Sequence, residues 1–136
     1  MEITGSIDEM QFDMLADMLN TQRNNQELRG YCFEEMTVPE RASYLRSMTL
    51  MTEHELHEML QEVPGFKLWK RYDLGLVPDQ MEKARQEFAD VWHFLLNVAL
   101  ALGLTAEMIY EYYREKDAIN HDRMADTKNY KKDTEE

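Results

Sequence analysis

The chain has 136 residues, of which 43% are hydrophobic and 31% charged, and a formal net charge of −12. This length and composition predict one globular domain with a single core. The charge argues against non-specific binding to nucleic acid or to an anionic membrane surface, because both require basic patches. The net charge of −12 is still compatible with a small polyanionic ligand, provided that metal ions and a few cationic side chains offset the charge of that ligand.

Cysteine usage and the apolar stretches predict a cytoplasmic protein. Cys32 is the one cysteine, so no internal disulfide can form and a reducing compartment is expected. The longest strongly apolar stretch, residues 91–104, is interrupted by His93 and Asn97 and is too short to span a bilayer. The first residues lack the basic region of a secretory signal. We therefore expect neither a membrane partner nor a nucleic-acid partner.

The first predicted helix begins near Ile7, where residues 6–9 match the capping-box pattern, and stops at Gly30. Its apolar stripe ends at Leu19, and a polar, amide-rich segment follows. Gln22 and Asn25 lie three residues apart in this segment and therefore share one face of the helix. Primary amides carry both a donor and an acceptor and are suited to reading the edge of a base. The alternative is a solvated helix end.

The second predicted helix begins at Pro39 and ends at Pro64-Gly65. It carries Glu55 and Glu58, whose spacing places both carboxylates on one face. Residues 66–72 follow and interleave basic and aromatic side chains, among them Trp69 and Lys70. One interpretation is that this segment places cationic and aromatic side chains beside the carboxylates. The alternative is a loop that only covers the surface.

The third predicted helix runs from Pro78 to Leu102, with Gly103 as its C-cap. Glu87 and Asp90 form a second pair of carboxylates beside a broad apolar band. Phe94 and Asn97 continue the same face at steps of four and three residues. A helix that is apolar around so much of its circumference predicts a homodimer, because one short chain does not readily cover it.

The two acidic pairs predict a metal site if their helices pack face to face. Four convergent carboxylates repel one another and retain protons unless a cation lies among them. Mg²⁺ prefers carboxylate oxygens and leaves positions open for phosphate. Two ordinary acidic helix faces are the alternative interpretation.

A fourth helix is predicted to begin after Thr105 as N-cap. Lys116, Asn120 and Arg123 follow at intervals of four and three residues and form a stripe that suits phosphate. The sequence shows no alternating strand pattern and no glycine-rich phosphate loop, so the predicted fold class is all-α. Residues 127–136 are charged and are predicted to form a mobile tail.

These motifs together resemble the all-α nucleoside triphosphate pyrophosphatases, the superfamily of the MazG-like proteins and the dimeric dUTPases. The first acidic motif, E-x-x-E, is followed after 28 residues by the second, E-x-x-D. The resemblance is closest to the dimeric dUTPases and covers most of the sequence. It rests on four segments in order, namely Leu19-x-x-Gln22-x-x-Asn25, Glu55-x-x-Glu58 with the Lys/Trp-rich segment after it, Glu87-x-x-Asp90-x-x-x-Phe94, and Lys116-x-x-x-Asn120-x-x-Arg123.

The resemblance implies a four- to five-helix bundle formed by a single domain, residues 1–126. It implies two or more Mg²⁺ ions, for which Mn²⁺ is a possible substitute, bound by Glu55, Glu58, Glu87 and Asp90. The implied phosphate ligands are Lys116, Asn120, Arg123 and Lys70. The residues implied to enclose the base and sugar are Gln22, Asn25, Trp69, Phe94 and Asn97.

The implied reaction is hydrolysis of a deoxynucleoside triphosphate, with dUTP as first choice, to the monophosphate and pyrophosphate. Either Glu55 or Glu58 acts as the general base, and the spacing does not separate them. Another possibility within the superfamily is dCTP or a further deoxynucleoside triphosphate as substrate.

Two interpretations from other classes remain. A di-iron carboxylate bundle requires Glu-x-x-His twice, which only Asp90-x-x-His93 approximates. A non-catalytic, partner-binding bundle leaves the stripe of Lys116, Asn120 and Arg123 unexplained.

Overall fold

The computed structural model describes residues 7–63, 69 and 78–134, and their side chains between 14 and 126. Nearly all of these residues belong to four helices, which are α1 Ile7–Leu28, α2 Val38–Glu62, α3 Pro78–Ala101 and α4 Ala106–Thr134. The described ranges contain no strand. The predicted all-α fold class is therefore confirmed.

The helix ends follow local capping chemistry. Gly30 and Gly103 have φ angles of 94° and 71°, a left-handed conformation that glycine adopts without steric cost. Thr105 accepts a hydrogen bond at Oγ1 from the amide of Met108 at 3.2 Å, as its predicted role as N-cap requires. The prediction for α2 was one residue late, because the N-cap is Thr37, whose Oγ1 accepts from the amide of Glu40 at 3.3 Å.

The chain divides into two compact units, one of Asp17–Gly103 and one of Met1–Ala16 with Leu104–Glu136. Within the first unit α2 and α3 pack against each other. A guanidinium nitrogen of Arg41, near the start of α2, donates to the carbonyl oxygen of Ala101, at the end of α3, at 3.4 Å. Further along, Nδ2 of Asn97 lies 3.5 Å from Sδ of Met48. The two helices are therefore antiparallel.

The core of the first unit uses only part of the apolar band predicted for α3, of which Val91 and Ala99 are buried. Phe88, Leu95 and Leu102 lie in the predicted apolar band but are exposed, whereas Leu96 and Leu100 are buried. A helix presents only one stripe to a single neighbour, so the remaining arc of a broadly apolar helix stays in solvent. Among the described residues of this unit, the other buried apolar side chains are Leu19, Phe33, Tyr44, Val91, Ala99 and Ala101.

In the second unit α4 continues to Thr134. Residues 127–134, which were predicted as the start of a mobile tail, are therefore helical, and the predicted domain limits stay a prediction. No single helix in the described ranges is long and apolar enough to cross a membrane. The one combination there that reaches the required length and composition is α3 with the first part of α4, and the chain is bent at the break between these two helices.

Candidate metal centre

Three of the four predicted carboxylates converge between α2 and α3. Glu55, Glu58 and Glu87 each offer one oxygen, and these oxygens lie within 4.8 Å of one another. The antiparallel packing produces this arrangement, because it sets the Glu55/Glu58 face of α2 opposite the start of the acidic face of α3. We call these three side chains the carboxylate cluster.

The carboxylate cluster is short of hydrogen-bond donors. Oε2 of Glu55 and Oε2 of Glu87 are buried and have no hydrogen-bond partner within the described part of the chain. Burial and the negative charge of Glu58 raise the pKa of both carboxyl groups above the ordinary value of 4.5. Asp90 is exposed, but its charge raises both pKa values further. The fourth predicted carboxylate therefore acts on the same site.

A divalent cation fits this donor set. The available ligand atoms are carboxylate oxygens, and two of them are buried without a partner in the described ranges, which is costly unless a cation or a proton compensates. Hard ions such as Mg²⁺ and Mn²⁺ take such oxygens. The cluster could thus hold a divalent metal ion, with Glu55, Glu58 and Glu87 as ligands and the charge of Asp90 acting on the same site.

A histidine borders the carboxylate cluster. Nε2 of His54 lies 3.0 Å from Oε1 of Glu58, one helical turn away on α2. The sequence analysis did not single out this contact, although a spacing of four residues on a helix indicates it.

The acidic face of α3 leads into the interior of the first unit. Phe94 is half-buried, and Asn97 has only 2% of its surface exposed. Nδ2 of Asn97 contacts Sδ of Met48, but Oδ1 is buried without a partner among the described residues. Both residues were predicted to contact the base or sugar, and the structure places them one and two turns beyond Asp90.

The other residues predicted to bind base or sugar lie in unlike environments. Gln22 is buried and Asn25 is exposed, so the two amides do not present one common surface. Trp69 is 80% exposed. The sequence analysis missed Gln26, a buried amide four residues after Gln22 whose Oε1 accepts a hydrogen bond from the hydroxyl of Tyr44 at 2.9 Å.

The predicted phosphate ligands belong to two parts of the chain. Lys116, Asn120 and Arg123 are exposed side chains of α4. Lys70 lies outside the described residues. The assignment of these four residues stays a prediction.

A cavity of about 500 Å³ opens between the α1–α2 loop and the first half of α2. Its walls include Tyr31, Cys32, Tyr44 and Met48, and none of the predicted site residues that the structure describes lines it. Met48 is both part of the cavity wall and a neighbour of the buried Asn97, because its sulfur contacts Nδ2 of that residue.

The sequence matches a family model and a protein of known activity. A family model described as dUTPase matches residues 9–103, a range that contains α2, α3 and both acidic motifs. The dCTP pyrophosphatase of Enterobacteria phage T4 is 26% identical over 137 aligned residues, which cover 82% of this chain and 80% of the phage protein. No solved structure gives a significant match.

Proposed function

This chain belongs to the dUTPase family and is a nucleoside triphosphate diphosphatase, and we propose that it hydrolyses dUTP to the monophosphate and pyrophosphate in a reaction that depends on Mg²⁺. The proposal rests on one observation above all. Glu55, Glu58 and Glu87 converge, and two of their oxygens are buried without a partner among the residues that the structure describes. A cation with bound phosphate satisfies such a site better than protons alone.

Mg²⁺ bound at this site would offset the charge of the triphosphate and promote ionisation of the attacking water. The water oxygen forms a bond to the α phosphorus, the bond from that phosphorus to the bridging oxygen breaks, and pyrophosphate leaves. A carboxylate accepts the proton of the water. Glu55 suits this role better than Glu58, because its Oε2 has no partner in the described part of the chain and its pKa is raised, whereas Oε1 of Glu58 contacts His54.

The nucleoside is proposed to extend along α3 from the carboxylate cluster. Phe94 and Asn97 follow Asp90 at about one and two helical turns, roughly 6 and 10 Å along the axis. An aromatic ring followed by an amide suits a small flat base. Gln22, Asn25 and Trp69 are proposed to complete the enclosure, and Lys70, Lys116, Asn120 and Arg123 to hold the phosphates.

The second candidate substrate is dCTP. The phage T4 relative is named a dCTP pyrophosphatase, and a side-chain amide can turn over to present either its oxygen or its nitrogen to a base. The choice between a 4-oxo and a 4-amino group therefore rests on the orientation of amide side chains such as Asn97.

A turnover assay tests the proposal. Monophosphate and pyrophosphate are quantified for dUTP, dCTP, dTTP, dATP and dGTP, each with Mg²⁺, with Mn²⁺ and with a chelator. We expect kcat/KM for dUTP to exceed that for dTTP, dATP and dGTP by at least about tenfold, because mismatched polar groups in a base pocket go unpaired. Gln22→Ala should reduce this preference more than it slows the best substrate.

Two results would contradict parts of the proposal. A purine nucleotide as the best substrate overturns the pyrimidine pocket but leaves the reaction type standing. Release of inorganic phosphate in place of pyrophosphate, or full activity with the chelator present, overturns the proposed reaction.

A further inference from the structure

The proposed reaction assigns no role to His54. This residue lies on α2 immediately before Glu55, and its Nε2 is 3.0 Å from Oε1 of Glu58. Both side chains remain open to solvent, with 59% and 41% of their surface exposed. A pair of this kind often contributes only to the stability of its own helix. Because Glu58 belongs to the carboxylate cluster, this pair can also affect the metal site.

Glu58 is the central member of the carboxylate cluster. Glu55 and Glu87 each offer an oxygen within 4.8 Å of an oxygen of Glu58, whose negative charge raises the pKa of both carboxyl groups, and each also has an Oε2 atom without a partner among the described residues. A rotation of the Glu58 carboxylate therefore changes its distances to both of the other ligands. His54 provides a contact to this carboxylate from outside the cluster.

We infer that His54 is a positioning residue for the metal centre, whose Nε2–H holds Oε1 of Glu58 and leaves the second oxygen of that carboxylate for the cation. The inference rests on the proposed function of the cluster as a metal site. It does not depend on protonation of the ring, because both the imidazolium and the Nε2–H tautomer donate from this nitrogen. Outer hydrogen bonds of this kind typically change metal affinity or activity by about 10- to 100-fold.

The test is a titration of the metal-free protein with Mn²⁺ alone, in which electron paramagnetic resonance measures the free ion. Four variants are compared with the wild type, namely His54→Ala, His54→Gln, His54→Asn and His57→Ala. The amide nitrogen of Gln has a reach similar to that of Nε2 of His, and that of Asn is similar to Nδ1. His57 is the matched control, because it is an exposed histidine on the same helix, three residues away.

We expect His54→Ala and His54→Asn to raise the Kd for Mn²⁺ by about 10- to 100-fold. His54→Gln should restore the Kd to within about threefold of the wild type, and His57→Ala should leave it unchanged. Thermal melts without metal separate a loss of helix stability from a loss of metal affinity. A role confined to the helix would shift the melting temperature of His54→Ala and leave its Kd unchanged.

The outcomes separate this inference from the proposed function. If the wild type binds Mn²⁺ and hydrolyses nucleotide but His54→Ala has the same Kd, the positioning role is wrong and the proposed function stands. If His54→Gln fails to restore affinity, the hydrogen bond from Nε2 is not the cause and the inference is overturned. If the wild type neither binds Mn²⁺ nor hydrolyses any nucleotide, the proposed function fails, and the inference fails with it.

Discussion

Tyr44 donates its hydroxyl hydrogen to Oε1 of Gln26 at 2.9 Å, and both side chains are buried. The ring centroids of Tyr31 and Phe33 lie 5.2 and 5.1 Å from that of Tyr44, so aromatic packing surrounds the bond. Burial raises the pKa of the Tyr44 phenol above its ordinary value of 10.0, so the hydroxyl is protonated and can donate at neutral pH. This pair links α1 to α2 on the side of α2 that carries the cavity.

Removal of the Tyr44 hydroxyl should destabilise the protein. In Tyr44→Phe the ring packing is preserved, but the Gln26 oxygen loses its donor in a buried position, which costs about 1–3 kcal/mol. Urea denaturation followed by circular dichroism measures the change in the free energy of unfolding. Tyr31→Phe is the matched control, because Tyr31 is exposed and its substitution should change this quantity by less than about 0.5 kcal/mol. A Tyr44→Phe variant as stable as the wild type would contradict the importance of this bond.

Neutralisation of one member of the carboxylate cluster should abolish catalysis without unfolding the protein. Glu58→Gln removes a charged ligand and leaves the size of the side chain almost unchanged, so Mg²⁺-dependent turnover should fall by several orders of magnitude while helicity is retained. Asp90→Asn should act in the same direction. Glu53→Gln, at an exposed position on the same helix, is the control. Near-normal activity of Glu58→Gln would contradict the assignment of the carboxylate cluster as a metal site.

The raised pKa values predict how the stability of the metal-free protein depends on pH. A carboxyl group with a raised pKa binds its proton more tightly in the folded state than in the unfolded chain, so its ionisation destabilises the fold. For Glu55 this penalty is absent below the ordinary pKa of 4.5, grows as pH rises towards the raised value, and is complete above it. The free energy of unfolding should therefore fall with rising pH more steeply in the wild type than in Glu55→Gln.

Urea titrations from about pH 4 to about pH 8 in the presence of a chelator measure this difference. Mg²⁺ should reduce the difference between wild type and Glu55→Gln at neutral pH, because the cation replaces the proton as the compensating charge. A steeper fall in Glu55→Gln than in the wild type would contradict the pKa assignment.

The exposed apolar residues of α3 predict a homodimer. Met81, Phe88, Leu95 and Leu102 are exposed, and their spacing of seven residues places them on one stripe. Light scattering should give twice the chain mass of 16.2 kDa at micromolar concentration. Phe88→Asp should shift the protein to the monomer, because it places a charge where the stripe would be buried. Leu50→Asp, at an exposed leucine on α2, should not do so, and a monomeric wild type would contradict the prediction.

The sequence alone determined the helices and most of their ends. Gly30 and Gly103 end their helices in a left-handed conformation. The hydroxyl of Thr105 caps the start of α4 by accepting from the amide of Met108, three residues later. Both kinds of helix end depend on residues within one turn of each other. The pairing of Glu55 with Glu58 follows in the same way from helical spacing. Such features are readable in the sequence because their interactions are local.

The tertiary structure decided which of these faces are buried and what they contact. Helical spacing predicted that Gln22 and Asn25 share one face and that Phe88 belongs to the apolar band of α3. In the structure, however, Asn25 and Phe88 are exposed, whereas Gln22 and Leu96 are buried. The antiparallel register of α2 and α3 selected the buried stripe, and it brought Glu87 to Glu55 and Glu58 and Asn97 to Met48. Burial and the raised pKa values of Glu55 and Glu87 depend on side chains that are distant in sequence, since desolvation and charge repulsion act through space and not along the chain.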